Sequence, residues 1–286
     1  MGRFSLMATV AVLAALASQP AFALSEIVGE WAARQHEDAP ERGGGPDIGE
    51  YQGLPLNAAA RRHAETWSPS LLTVPEHQCP PHPADYGPNF SPLRIWKDVN
   101  PVTQKVVAYH TQMAWNMPVR TIWMDDRPHP PPNALHTWEG FSTGHWEGDV
   151  LVVDTTHLKP AYVRRNGVPR SDLATLREYF LRVGDYLTWI SVIHDPVYLT
   201  ETYVHSRNFY LDPGYQMGLY PCSTDVEIPR PEGEIPHYVD VNPDLNEFAM
   251  IYNLPLEAVR GGAATTYPEY QDNLKGGYVA PKGGSK

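Results

Sequence analysis

The chain is short of cysteine, short of basic residues and, past its N-terminus, without a long apolar run, and each shortage removes a class of protein. Two cysteines, Cys79 and Cys222, are too few for a zinc–thiolate cluster. Lys and Arg number 22 against 33 Asp and Glu, for a formal net charge of −11. That sign opposes binding to phosphate backbones or anionic bilayers, so neither nucleic acid nor a membrane surface is expected as a partner. No stretch beyond residue 23 is apolar for long enough to span a membrane. Dinucleotide and Walker glycine fingerprints are missing, as are an H-E-x-x-H metal pair and a G-x-S-x-G nucleophile elbow. The reading is therefore of a protein with no cofactor and no metal.

What is present begins with an address. Arg3, the apolar run from Phe4 to Ala17 and the small-x-small site Ala21-Phe22-Ala23 before Leu24 read as a secretory signal peptide over residues 1–23. The mature chain is then periplasmic or secreted, and loss of Arg3 takes its charge from −11 to −11 − 1 = −12. In an oxidising compartment Cys79 and Cys222 are expected to pair as a disulfide, closing a loop of 222 − 79 = 143 residues. The chain-entropy argument sets about 5 kcal/mol as the upper stabilisation from such a loop.

Residues 24–92 read as an irregular arm plus a short helix. Residues 36–54 are rich in glycine, proline and charge, whereas Leu56, Ala60, Ala64 and Trp67 recur at helical spacing behind a capping Asn57. From Leu93 to residue 228 the signal changes to strands: LRIWKDV, KVVAYH, VRTIWM, TWEGFSTGHW, DVLVVDTT, LREYFLRV, YLTWISVI and LTETYVHSRNFYL. Tight turns at Glu147-Gly148-Asp149 and Gly184-Asp185 join some of them as antiparallel neighbours. The fold class is mainly β, an antiparallel meander of about seven or eight strands closing into a lipocalin-like barrel or a sandwich. Residues 229–286 read as a C-terminal helical and irregular extension packed on that core, with Asn242 capping PDLNEFAMIY, a second short helix at LEAVR, and a frayed tail from Tyr267.

Titratable and aromatic residues are densest between Thr121 and Leu158, where His129, His136, His145 and His157 accompany Trp123, Trp138 and Trp146. Pairing across the Gly148 turn sets His145 and Trp146 near Val150 and Leu151, and Ser142 or Thr143 near Asp154, so apolar lanes end in titratable groups. There desolvation can move a pKa towards neutrality. His145 is the expected acid or base, Asp154 its orienting partner, and His157 and Glu178 further catalytic candidates. Glu178 stands inside a strand, where the alternatives are an outward, solvated carboxylate or one kept for a role. Arg164 and Arg165 are expected to anchor an anionic group through their planar forks, with Trp138 and Tyr179 lining the substrate. The Pro-rich half with His129 and His136 reads as a loop covering one end of the sheet. Glu139 and Glu147 flank the hairpin and read as exposed.

The strings YQGLPLNAAARRHAETW, PEHQCPPHPADY, RTIWMDDRPHP, GFSTGHWEGDVLVVDTTHLK and RRNGVPRSD resemble a family of exported bacterial proteins with a W-E-G-D-x-L-x-V-x-T-T core. The likeness runs over nearly all of the mature chain. It implies export and a single β-rich domain and transfers no catalytic residue. The functional expectation from the residues is an exported enzyme using acid–base chemistry of lyase, isomerase or hydratase type on a small apolar or aromatic ligand. The alternatives are a non-catalytic periplasmic binding protein for such a ligand, and a carbohydrate-active protein built on two carboxylates.

Overall fold

The computed structural model of the chain describes residues 26–34, 47–68, 78–86, 92–114, 118–164, 166–218, 222–223, 238 and 241–281. The expected signal peptide, most of the Gly/Pro-rich arm and Arg165 lie outside the described residues.

Strands form where β-branched and aromatic residues alternate with polar ones, and they run as β1 Gly29–Ala33, β2 Leu93–Val99, β3 Val106–Met113, β4 Arg120–Trp123, β5 Phe141–Glu147 and β6 Val150–Thr156. A small pair follows, β7 Ala161–Arg164 and β8 Val168–Arg170, and then β9 Thr175–Val183, β10 Tyr186–His194 and β11 Tyr203–Leu211. Among the described residues nine strands close a barrel in the order β1, β11, β10, β9, β6, β5, β4, β3, β2, while β7 and β8 pair only with each other. The closed barrel agrees with the sequence reading, with two differences. β1 lies in the stretch expected to be irregular and is a full member of the ring, between β2 and β11. In addition β4 and β5 run parallel, joined by the long connection 124–140, so the ring is not wholly antiparallel. Tight turns join β5 to β6 and β9 to β10, with Gly148 at φ 60 and Gly184 at φ 61 supplying the left-handed residue that two-residue hairpins require.

Inside the ring the side chains divide by level. The part of the interior nearest the Gly148 and Gly184 turns is a dry core of Trp31, Ile95, Leu151, Phe180, Trp189 and Phe209 with their neighbours. Trp31 donates its indole N–H to the Ile27 carbonyl at 2.9 Å, which satisfies the one polar atom it buries. At the opposite mouth α1 (Ala58–Glu65) and the β7–β8 pair pack against Leu176 and Ile193 of the barrel. Asn57 caps α1 by accepting from the amides of Ala59 and Ala60, and Ala60 and Ala64 are its buried face. A second apolar cluster, including Tyr51, Leu54, Leu158, Val168, Leu176 and Ile193, packs beneath this cap.

The C-terminal extension fastens to the cap more than to the barrel wall. The amides of Tyr51 and Gly53 donate to the carbonyls of Val259 and Gly262, and Asn242 donates to the carbonyls of Glu65 and Trp67. Two short helices, α2 Glu247–Ile251 and α3 Leu256–Arg260, stand where helices were expected. Within the tail from Tyr267, Pro268–Leu274 form a 3-10 segment. Cys79 and Cys222 are bonded, with Cα atoms 5.7 Å apart.

Candidate functional site

Strand alternation sets the site. On β9 Leu176, Glu178 and Phe180 face inward; Ser191 lies opposite Glu178, and His205 opposite Ser191, so the three share one inward row across β9, β10 and β11. On β4 the inward pair is Arg120 and Ile122, and the parallel register sets Ile122 beside Ser142 of β5. Arg120 spans the interior to make a two-pronged contact with Glu178, Nη1 donating to Oε1 at 3.0 Å and Nη2 to Oε2. Its remaining donors reach Thr155 Oγ1 at 2.7 Å and Ser142 Oγ at 3.1 Å. The indole N–H of Trp189 adds a third donor to the Glu178 carboxylate, at 3.0 Å. Burial pushes the Glu178 carboxyl upward, and Arg120 and Trp189 pull it back; with three N–H groups aimed at its oxygens we assign it as the anion of an ion pair.

Two loops deliver further charge to this mouth. The 78–86 segment, which carries the bonded Cys79, brings in Asp85, and the turn before β5 brings in Glu139. Arg170 of β8 contacts Asp85 at 2.5 Å between Nε and Oδ2, but off the angle of a hydrogen bond, so both Asp85 oxygens remain without a hydrogen-bond partner among the described residues. Five charged side chains, Asp85, Arg120, Glu139, Arg170 and Glu178, are thus each at most 7% exposed. Arg120 faces all three acids electrostatically. Within these five, three carboxylates face two guanidinium groups, with Arg164 and Arg207 buried nearby, and a buried carboxylate that lacks a hydrogen-bond partner is driven to neutralise.

Glu139 is the group that does so. Its two oxygens are buried and have no hydrogen-bond partner among the described residues. Burial pushes its carboxyl up to about 8; Arg120 opposes that shift, and Asp85 and Glu178 add to it. At neutral pH it therefore holds a proton. His205 shows the converse behaviour: burial, then Arg207 and Arg164, press its pKa down to about 3, so its ring is neutral. Thr111 Oγ1, also buried, is a further polar atom without a hydrogen-bond partner among the described residues.

The residues expected from the sequence divide sharply. Glu178 is in the cluster, fully buried, and the solvated alternative for it is excluded. Arg164 is buried and tied to Glu50 at 2.9 Å at the edge of the mouth. His145 and Asp154 point away from the interior: His145 lies on the outer wall, half exposed and 2.9 Å from Glu147, while Asp154 is paired with Arg177 at 2.8 Å. Tyr179 occupies the same outer parity on β9. His157 is buried outside the ring, its Nε2 donating to the Pro131 carbonyl at 2.9 Å. Trp138 sits beside the cluster, half-buried under the Lys159 ammonium, and its carbonyl accepts from Ala84. Glu139, read as exposed, is buried because the chain turns inward at Gly140 before β5 begins.

Sequence reasoning passed over Arg120, Asp85, Glu139 and Arg170 as a group. One signal for Arg120 was present, a cation on the inward parity of RTIW beside Ile122. Asp85 and Glu139 stand in irregular loops that have no periodicity to read. No helix among the described residues is long and apolar enough to cross a membrane. No protein-family profile matches the chain, and neither the curated proteins nor the solved structures contain a significant match to it.

Proposed function

We propose that the chain is an exported small-molecule enzyme that moves protons without a cofactor, in lyase, isomerase or hydratase fashion, with Glu139 as its proton-transfer group. The observation that carries this reading is the Glu139 carboxyl, buried and unpartnered beside an ion pair that already uses Arg120 and Glu178. A general acid must hold its proton at working pH and release it to a nearby atom, and a carboxyl titrating at about 8 meets the first condition. On release, the new carboxylate faces the Arg120 guanidinium, which offsets its charge. In an isomerisation the same group then recovers a proton from the neighbouring carbon, and the protein returns to its starting state.

The walls around it are mixed. Leu176, Ile193 and Tyr203 share inward parity with Ser191 and His205, so the substrate we assign has an apolar or aromatic frame with at least one hydrogen-bonding group. The signal-like N-terminus supports a periplasmic or secreted setting for this chemistry.

The test is incubation of the oxidised protein with pooled small metabolites, read by mass spectrometry for both binding and conversion. Glu139→Gln keeps the shape and the buried polar groups but cannot titrate. It is expected to retain ligand binding within a few-fold and to lose turnover by about 10² to 10⁴. Turnover unchanged in that variant would remove Glu139 from the role. The outward placement of His145 and Asp154 favours one second reading, a carrier protein; binding without conversion in the unmodified protein is its signature.

A further inference from the structure

The histidines between Thr121 and Leu158 lie outside the barrel interior, and their hydrogen bonds form a directed chain. The Pro131 carbonyl can only accept, so His157 Nε2, 2.9 Å away, carries a hydrogen. In the neutral ring Nδ1 is then an acceptor, and the Thr156 hydroxyl donates to it at 2.7 Å. Thr156 Oγ1 in turn accepts from His129 Nδ1 at 2.7 Å. That leaves His129 Nε2 to accept from the Thr143 hydroxyl at 2.9 Å. His136 Nδ1 donates separately to the Leu158 carbonyl at 2.9 Å.

All of these but the Thr156–His157 bond join one strap, residues 129–140, to the end of the β5–β6 hairpin. Backbone bonds continue the fastening: Thr137 N–H donates to the His157 carbonyl and Lys159 N–H to the Thr137 carbonyl, both at 2.9 Å. His157 holds φ at 58, in the left-handed region, and so can present its ring to Pro131 and its carbonyl to Thr137 at once. Two residues beyond Thr137 is Glu139.

We propose that His157 is a positioning residue for Glu139: its ring and its carbonyl together hold the strap against the barrel and set the turn that buries the Glu139 carboxyl. This rests on the reading of Glu139 given above and extends it to the outer wall. The bond directions given above are those of neutral rings. The charged groups facing the chain are Asp154, which favours protonation of His129, and Arg177, which occupies the Asp154 carboxylate. Burial and His157 act against protonation of His129, and its pKa is lowered.

Infrared spectroscopy of the full oxidised chain reads the protonated carboxyl of Glu139 directly, the band being identified by its loss in Glu139→Gln. In the unmodified protein its disappearance should be centred near pH 8. Asn tolerates the left-handed backbone, so His157→Asn removes the ring bond with little strain. Its expected effect is a fall of one pH unit or more in that midpoint, with amide exchange at Thr137 and Gly140 accelerated about tenfold. His129→Gln, which breaks the chain further from the turn, should move both readouts in the same direction by less and serves if His157→Asn does not fold. A folded variant with unchanged midpoint and unchanged exchange overturns the positioning role. An unmodified protein with no carboxyl titrating above the usual range overturns the Glu139 reading instead, and amide exchange then still decides what His157 holds.

Discussion

At the scale of single residues, the Arg120–Glu178 pair is the part of the interior least able to lose one member. Arg120 is 1% exposed and Glu178 0%, so removal of either leaves a charge with no water to receive it. Arg120→Met and Glu178→Leu are each expected to lower unfolding free energy by about 3 to 5 kcal/mol, whereas the two changes combined should cost less than the sum. Urea titrations of the three variants check this. Equal costs for the double change and the summed singles would mean that the two groups do not act as a pair.

At the scale of elements, the turn that carries Glu139 depends on Gly140. It holds φ 65, and a Cβ built there would lie 2.5 Å from the Thr156 carbonyl oxygen. Gly140→Ala is therefore expected to cost about 2 kcal/mol and to loosen the strap, seen as faster amide exchange from Thr137 to Phe141. A variant as stable as the parent would show that the turn can relax around a side chain. The strands themselves were legible because period-two alternation over seven to nine residues leaves few other readings, as in TLREYFLRV and YLTWISVIH. β1 was not, since in GEWAA only Trp31 carries a strong signal, and β7 and β8 are four and three residues long. Alternation also says nothing of strand direction, which is why the parallel β4–β5 contact was unreadable. Of the site, Glu178 stood out as a polar residue within a strand; Asp85 and Glu139 reach the interior through loops, where tertiary contacts alone decide which way a side chain points.

At the scale of the whole molecule, two buried groups shape stability against pH. The pKa of Glu139 is raised from 4.5 to about 8, so its contribution is present in full below 4.5 and is lost as pH rises through about 8. That of His205 is lowered from 6.5 to about 3, so its contribution is present above 6.5 and is lost as pH falls through about 3. Between 4.5 and 6.5 the two slopes oppose each other, and a plateau in melting temperature is expected there, with a decline on either side. Glu139→Gln should remove the alkaline decline and leave the acid one. Persistence of the alkaline decline in that variant would assign it to another group.

The ring of nine strands has a consequence of parity. Going once around a closed sheet, chain direction must return to its starting sense, so an odd number of strands cannot alternate throughout; at least one neighbouring pair has to agree. Here that pair is β4 and β5, and the eight other contacts are antiparallel. A chain that leaves β4 and must start β5 in the same direction has to double back along the wall first. Residues 124–140 make that journey, with the strap and Glu139 on its last leg. An even-stranded relative of this barrel, lacking β1 or gaining a tenth strand, could close with hairpins alone and would then have no return path on which to carry a buried acid.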